Sequence, residues 1–120
     1  MSNKKTVVIV EDDFLIAEYL RDLCDGYGMK VEGSADSAGA AIPMILQKEP
    51  AYILMDVRLK GERDGVDVAH EIHVRRPGTK IIFITASSEP VTLDRIKGDH
   101  PHSILLKPIN PDDLEAAFRL

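Results

Sequence analysis

The chain has 120 residues, one cysteine and no tryptophan, with 15 lysines and arginines against 20 aspartates and glutamates. This length suits a single domain, and the lone Cys24 excludes an internal disulfide framework and a multi-cysteine zinc site. A net charge of −5 and an aromatic fraction of 5% argue against nucleic-acid binding, which needs a concentrated positive field or stacking platforms.

No apolar run approaches the roughly 18 residues that a membrane-spanning helix requires, so we expect no membrane partner. The apolar stretch after Thr6 ends before Glu11 and is too short for a signal peptide. The expectation is a cytoplasmic protein whose residues 1–120 form one domain, with no output domain.

Short apolar runs and segments of helical spacing alternate from the N-terminus. The run Thr6–Val10 predicts a strand, and Asp13 is placed to cap the helix that follows. Met29–Val31 is a weaker strand candidate. The alanine-rich stretch Ser37–Lys48 predicts a helix that contains Pro43, which can kink it.

The second half of the chain repeats this pattern. Three further apolar runs predict strands: Tyr52–Met55, Lys80–Thr85 and Ser103–Leu106. Asp64 can cap a helix that ends near Arg76, Ser88 can cap the next helix, and Asn110 opens the last one. The alternation predicts an α/β fold in which a doubly wound, five-stranded parallel sheet carries helices on both faces.

In such open sheets the functional site lies beyond the carboxyl ends of the strands. Glu11 and Asp12 follow the first predicted strand, Asp56 the third, Thr85 ends the fourth, and Lys107 follows the fifth. Each residue type alone has a common structural explanation, such as a helix cap, a strand former or a solvated lysine. Their joint position at one sheet edge makes a shared chemical role the better explanation.

Crowded carboxylates repel one another unless a cation binds or a pKa rises. Mg²⁺ or Mn²⁺ suits oxygen ligands and would neutralise an incoming phosphoryl group. A carboxylate can act as a nucleophile and form an acyl phosphate, whose oxygens the Thr85 hydroxyl and the Lys107 ammonium would bind. The strand ends therefore predict metal-assisted phosphoryl transfer.

With these residues the sequence resembles a response-regulator receiver domain over nearly the whole chain. The residues that carry the resemblance are Glu11-Asp12 after Val7–Val10, Asp56 in Leu54-Met55-Asp56, Asp64-Gly65, Thr85-Ala86 and Lys107-Pro108. The resemblance implies a flavodoxin-like sheet in the order 2-1-3-4-5. It also implies a two-component or phosphorelay function, in which a phosphohistidine donates a phosphoryl group to Asp56.

The resemblance assigns the metal ligands as well. Asp12 and Asp56 would bind Mg²⁺ (or Mn²⁺) through their side chains, and Arg58 through its backbone carbonyl. Glu11 would hold the ion through a water molecule. The expected partners are a histidine kinase or histidine phosphotransfer domain and an unknown downstream protein, and the chain is expected to be a monomer or weak homodimer.

The remaining roles implied by the resemblance concern how the phosphoryl group is bound and detected. Thr85 would bind the phosphoryl group and report it, Lys107 would pair with that group, and Pro108 would follow in a cis peptide bond. Ile104 stands where receivers usually carry the tyrosine or phenylalanine of a Thr–aromatic switch. This stiff aliphatic side chain leaves two alternatives, an altered readout or a silent substitution.

Two further departures lie just after Asp56. The loop from Leu59 to Gly65 is one residue longer than usual, which predicts either a tolerated insertion or a more mobile lid. Arg58 is either a solvated cation or a side chain that overhangs the phosphoryl group and slows its hydrolysis.

Other functions fit the sequence less well. A haloacid-dehalogenase-type phosphohydrolase needs a second aspartate two residues after the nucleophile, where this chain has Arg58. A flavodoxin-like FMN carrier needs a hydroxyl-rich loop after the first strand, where Glu11 and Asp12 would repel phosphate. A degenerate receiver would have lost chemical residues that are present here. We expect no enzymatic turnover of an external substrate.

Overall fold

A computed structural model describes residues 5–119, which form a parallel sheet flanked by helices. The strands are β1 (Thr6–Val10), β2 (Lys30–Ala35), β3 (Tyr52–Asp56), β4 (Lys80–Thr85) and β5 (Ser103–Leu106). The helices are α1 (Phe14–Gly26), α2 (Ala38–Lys48), α3 (Gly65–Arg75), α4 (Pro90–Lys97) and α5 (Pro111–Arg119). The sheet order is β2-β1-β3-β4-β5, so the predicted fold is confirmed.

The three central strands are buried on both faces. Every residue of β1 and β3 is buried, as is every residue of β4 after Lys80. Two-sided burial removes the polar alternation of a half-exposed strand, which is why these segments read as continuous apolar runs.

The sheet separates two hydrophobic cores. Val8, Ile53 and Phe83 belong to the core beneath α2, α3 and α4. Ile9 and Leu54 belong to the core beneath α1 and α5. Successive strand residues thus alternate between the two cores, as the pleat requires.

β2 is longer than predicted, and it starts one residue later than Met29. Its residues Glu32, Gly33 and Ser34 are polar or small because β2 is an edge strand and is only partly covered. The register against β1 shifts between Val7 and Val8, next to Gly33. A Cβ at Gly33 would lie 2.9 Å from the Met44 sulfur, so the packing of α2 favours glycine there.

Most predicted helix starts are correct. The Asp13 carboxylate accepts hydrogen bonds from the first turn of α1, and Asp64 forms a reciprocal capping box at α3. The prediction that Ser88 caps α4 is wrong, because Glu89 occupies the cap position and makes no side-chain capping bond. Pro90 opens α4 and sets its start by its fixed φ angle.

Candidate functional site

Three carboxylates meet where β1 and β3 end. Because Val10 pairs with Met55, the chain places Glu11 and Asp12 beside Asp56. One carboxylate oxygen from each lies within 4.8 Å of the others, and no other such group of three metal-binding side chains occurs within residues 5–119. Glu11 is 3% exposed and Asp56 5% exposed, so their charges are poorly solvated.

Lys107, just after β5, supplies the cation of the site. Its Nζ atom lies 3.2 Å from Glu11 Oε1 and 3.4 Å from Asp56 Oδ1. Burial alone would lower the pKa of Lys107, but the neighbouring charges of Asp56 and Glu11 raise that pKa above its ordinary value. One ammonium group thus contacts two of the three carboxyl groups.

The burial and crowding of these charges change the pKa of Glu11. Burial raises the pKa of Glu11 to about 7, the Asp13 N–H donates a hydrogen bond that opposes the shift, and Asp56 adds to it. Carboxylates crowded together with little solvation also favour a bound cation. Its donors are carboxylate oxygens, so the residues present fit a hard divalent ion such as Mg²⁺.

Thr85, at the end of β4, is buried and hydrogen-bonded to its own loop. Its Oγ1 accepts from the Ser87 N–H at 3.0 Å and lies 3.4 Å from the Ser87 carbonyl oxygen. The Ser87 hydroxyl in turn accepts from the Glu89 N–H at 3.2 Å. Our sequence reasoning missed Ser87, although hydroxyl residues closely spaced after a strand favour such local turns.

A cleft of about 520 Å³ opens over Asp56. Asp12, Thr85, Lys107 and the exposed Arg58 line it with Asp56, and the start of α4 forms one wall. Four strand ends therefore contribute chemistry to a single cleft. Glu11 lies behind this surface, in contact with Lys107.

Besides Glu11, two predicted residues lie outside this cleft. Ile104 pairs with Phe83 in the sheet and packs, partly buried, against the core beneath α2, α3 and α4. Pro108 follows the cis peptide bond from Lys107 and lines a neighbouring apolar pocket with Ile16 and Tyr19.

The loop after Asp56 is joined to the turn between β2 and α2. The Lys60 N–H donates to the Asp36 carbonyl oxygen at 3.0 Å, and the Lys60 Nζ lies 3.0 Å from the Asp36 carboxylate. Lys60 also forms a parallel bridge with Ser37. These contacts favour a tolerated insertion over a mobile lid.

Comparison with known proteins agrees with this geometry. The family model for the response regulator receiver domain matches residues 7–119. The transcriptional regulatory protein PdtaR of Mycobacterium tuberculosis is 30% identical over 116 residues, which are 97% of this chain and 56% of that protein. The chain thus spans about half the length of this curated relative.

Two solved structures are also similar. The signal receiver domain of a modulated diguanylate cyclase from Desulfovibrio desulfuricans G20 has a TM-score of 0.87 at 33% identity, covering 95% of this chain and 90% of that one. A CheY-like response regulator receiver domain protein from Methanospirillum hungatei JF-1 has a TM-score of 0.88 at 26% identity, covering 96% and 90%.

The chain belongs to the response regulator receiver domain family. It is therefore a receiver domain of two-component signalling, a class of signalling domain that works with histidine kinases and downstream effectors. Within residues 5–119, no helix is both long and apolar enough to cross a membrane.

Proposed function

We propose that this receiver accepts a phosphoryl group on Asp56 from a phosphohistidine and that the acyl phosphate switches its partner-binding surface. The observation that carries the proposal is the grouping of Asp56 with two further carboxylates and the Lys107 ammonium at one cleft. This set combines a nucleophile, a candidate cation site and a donor for phosphoryl oxygens.

In the proposed reaction a carboxylate oxygen of Asp56 attacks phosphorus. The new P–O bond forms as the P–N bond to the donor histidine breaks, and the bonding electron pair returns to the imidazole ring. Lys107 pairs with one phosphoryl oxygen, and the Thr85 hydroxyl exchanges its Ser87 contact for another. Water later cleaves the acyl phosphate and restores the Asp56 carboxylate.

Asp12, Asp56 and the Arg58 carbonyl would hold Mg²⁺ or Mn²⁺, with Glu11 acting through water. When bound, the ion supplies positive charge that neutralises the phosphoryl oxygens during transfer. The grouping of three carboxylates, of which Glu11 and Asp56 are buried, supports this assignment.

An exposed apolar surface beside the cleft supports a protein phosphodonor. On α1, Phe14 is 72% exposed, Leu15 76% and Tyr19 46%, and Tyr19 lines the apolar pocket at Pro108. Exposed large apolar side chains of this kind are typical of protein contacts. A histidine kinase or phosphotransfer domain docked on α1 would bring its histidine to the cleft. We also propose that the chain acts in the cytoplasm.

Turnover of an external substrate is not part of the proposal. A phosphohydrolase of the aspartyl-phosphate type needs a general acid two residues after the nucleophile, and Arg58 cannot donate a proton at neutral pH. We propose instead that phosphorylation and dephosphorylation act on the chain's own Asp56, in a monomer or weak homodimer that signals to a downstream protein.

Intact-mass spectrometry after incubation with acetyl phosphate and Mg²⁺ tests the proposal. The wild type is expected to gain one phosphoryl group, and to lose this gain when the metal is chelated. Asp56→Asn is expected to gain none, while Asp112→Asn, a surface control on α5, gains as much as the wild type. An adduct that persists in Asp56→Asn contradicts the assignment.

If the wild type gains no mass, beryllofluoride with Mg²⁺ distinguishes two explanations. A stable complex indicates an acyl phosphate that hydrolyses before detection. Its absence indicates a binding module that does not use phosphorylation.

A further inference from the structure

Arg95 of α4 forms a bidentate ion pair with Asp64, the N-cap residue of α3. Arg95 on α4 donates from Nη1 to Asp64 Oδ2 at 2.8 Å and from Nη2 to Asp64 Oδ1 at 3.2 Å. The same Nη2 lies 3.8 Å from Asp67 Oδ1. Paired N–H···O bonds of this kind fix both distance and orientation, unlike a single contact between flexible side chains.

The Asp64 end of this pair is fixed relative to Asp56. Asp64 and Asp67 exchange backbone and side-chain hydrogen bonds, at 2.9 and 3.0 Å, which orient the Asp64 carboxylate. The next residue, Gly65, donates its N–H to the Val57 carbonyl oxygen at 2.7 Å. Gly65 also lies so close to the Asp56 backbone that a Cβ would overlap the Asp56 carbonyl oxygen. A displacement of the phosphoacceptor strand end therefore displaces Asp64.

The Arg95 end lies on a lightly anchored helix. α4 has eight residues, of which Ile96 alone is buried, and its first turn has no side-chain cap. Just after α4, the Asp99 carboxylate lies 2.9 Å from His70 of α3. Few apolar contacts and an uncapped start make α4 an element of low local stability. Its position depends on the polar contacts with α3.

The chain carries Ile104 where a Thr–aromatic switch would have its aromatic residue. Ile104 has no hydroxyl, is stiff at χ1 and lies in the core rather than in the cleft. Thr85 reaches the start of α4 through Ser87, but only by hydrogen bonds within one loop.

We propose that Arg95 is a positioning residue that couples the Asp56 site to α4 through its paired contact with Asp64. Phosphorylation of Asp56 moves the strand end and α3 start together, and the Asp64–Arg95 pair carries that movement to α4. The inference rests on the proposed phosphoacceptor function and concerns how phosphorylation of Asp56 changes the position of α4. By thermodynamic linkage, the free energy by which the phosphoryl group shifts α4 equals the free energy by which the position of α4 affects the phosphoryl group.

Hydrogen exchange of residues 90–97 tests the coupling, with beryllofluoride and Mg²⁺ as the phosphoryl probe. In the wild type the probe is expected to change α4 exchange rates by about fivefold or more, the lower range of allosteric coupling. In Arg95→Gln and in Asp64→Asn, which keeps a capping side chain, the change is expected to fall below about twofold.

Two controls make the test specific. Arg75→Gln removes a similar surface cation that pairs with Glu71 within α3, and it is expected to retain the full wild-type response. The double variant Asp64→Asn/Arg95→Gln is expected to respond like either single variant, because both remove the same contact. Thermal melts of each variant establish that α4 is compared in folded protein.

A full α4 response in Arg95→Gln overturns the inference, as does a loss of response in Arg75→Gln equal to that in Arg95→Gln. Failure of the proposed function is separately visible, because the wild type would then bind no beryllofluoride and gain no phosphoryl mass. If the wild type binds beryllofluoride and the α4 response is lost in Arg95→Gln, the proposed function and the inference are both supported.

Discussion

Asp56 combines low exposure with a crowded electrostatic neighbourhood. Glu11 and Asp12 lie beside it, and Lys107 contacts it from the end of β5. Water cannot screen these charges well, because Asp56 and Glu11 are almost fully buried. The carboxylate is thus held in place by its surroundings while its oxygens face a cleft that is open to a phosphodonor.

Replacing Asp56 with asparagine keeps the shape of the side chain and removes one of the repelling charges. We expect Asp56→Asn to fold normally and to bind Mg²⁺ about tenfold more weakly or worse, which is ~1.4 kcal/mol of binding free energy. Isothermal titration calorimetry measures this, with Asp112→Asn as the control. Unchanged Mg²⁺ affinity in Asp56→Asn would remove Asp56 from the ligand set.

Arg58 lines the same cleft with an exposed side chain, two residues past Asp56. If it covers the acyl phosphate, then Arg58→Ala admits water and raises the dephosphorylation rate by about threefold, or ~0.7 kcal/mol in the barrier. Loss of phosphoryl mass with time measures the rate. Arg63→Ala, in the same loop but outside the cleft lining, is the matched control. Equal rates in wild type and Arg58→Ala would make Arg58 a solvated cation only.

At the level of elements, the start of α3 depends on close packing against the end of β3. A methyl group at Gly65 would overlap the Asp56 carbonyl oxygen, whereas a methyl group at Gly39 in α2 would meet nothing within 4 Å. We expect Gly65→Ala to lower the free energy of unfolding by about 2 kcal/mol or more. Gly39→Ala is expected to raise it by up to about 1 kcal/mol. Denaturant unfolding of both variants measures the contrast, and equal effects would contradict it.

Asp64 combines a helix cap with an ion pair, and two substitutions separate these roles. Asparagine keeps the cap, so Asp64→Asn is expected to cost up to about 1 kcal/mol at pH 7. Asp64→Ala is expected to cost about 1 kcal/mol more. Chemical denaturation of the three proteins measures both steps.

The same pair predicts a pH dependence. Burial would raise the pKa of Asp64, but the hydrogen bonds from Arg95 and the Asp67 N–H outweigh it and lower that pKa below its ordinary value of 3.8. The unfolded chain then binds more protons than the folded chain as pH falls, so acid removes the stabilisation. The difference in unfolding free energy between wild type and Asp64→Asn is expected to be constant near neutrality. It should disappear as pH falls from about 3.8 through the lower folded pKa. A difference that grows in acid would contradict the assignment.

For the whole molecule, the clustered carboxylates predict a metal-dependent stability. An ion that binds the folded chain and not the unfolded one adds about 2.7 kcal/mol at 100 times its dissociation constant. We expect Mg²⁺ to raise the melting temperature of the wild type, and to raise that of Asp12→Asn much less. Differential scanning calorimetry with and without Mg²⁺ measures both. An equal rise in the two proteins would indicate binding elsewhere.

Four strands and the site residues could be predicted from the sequence for related physical reasons. The apolar runs of β1, β3 and β4 follow from their burial inside the sheet, which has little room for polar residues. The edge strand β5 is only partly buried, but its residues Ile104, Leu105 and Leu106 still form a short apolar run. Parallel strands end at one edge, so residues after separate strands could be placed together before their distances were known. The edge strand β2 gave a weak signal, because its exposed and small residues lack an apolar pattern.

Contacts between helices and loops could not be predicted in this way. Arg95 and Asp64 are 31 residues apart, and their meeting depends on how α3 and α4 are oriented on the sheet. The same is true of Lys60 and Asp36, which join the loop after Asp56 to the turn between β2 and α2. The cap of α4 was misassigned because Ser88 is a good capping residue, while the actual position is fixed by Pro90.

The separation of the site from the outer surfaces of α2 and α3 has an evolutionary consequence. The chemical side chains are attached to strand ends, whose backbone is fixed by neighbouring strands and by two buried cores. Helix surfaces away from that edge carry none of this chemistry. A lineage can therefore replace the solvent-facing residues of these helices and acquire new signalling partners, while the cleft over Asp56 is inherited unchanged.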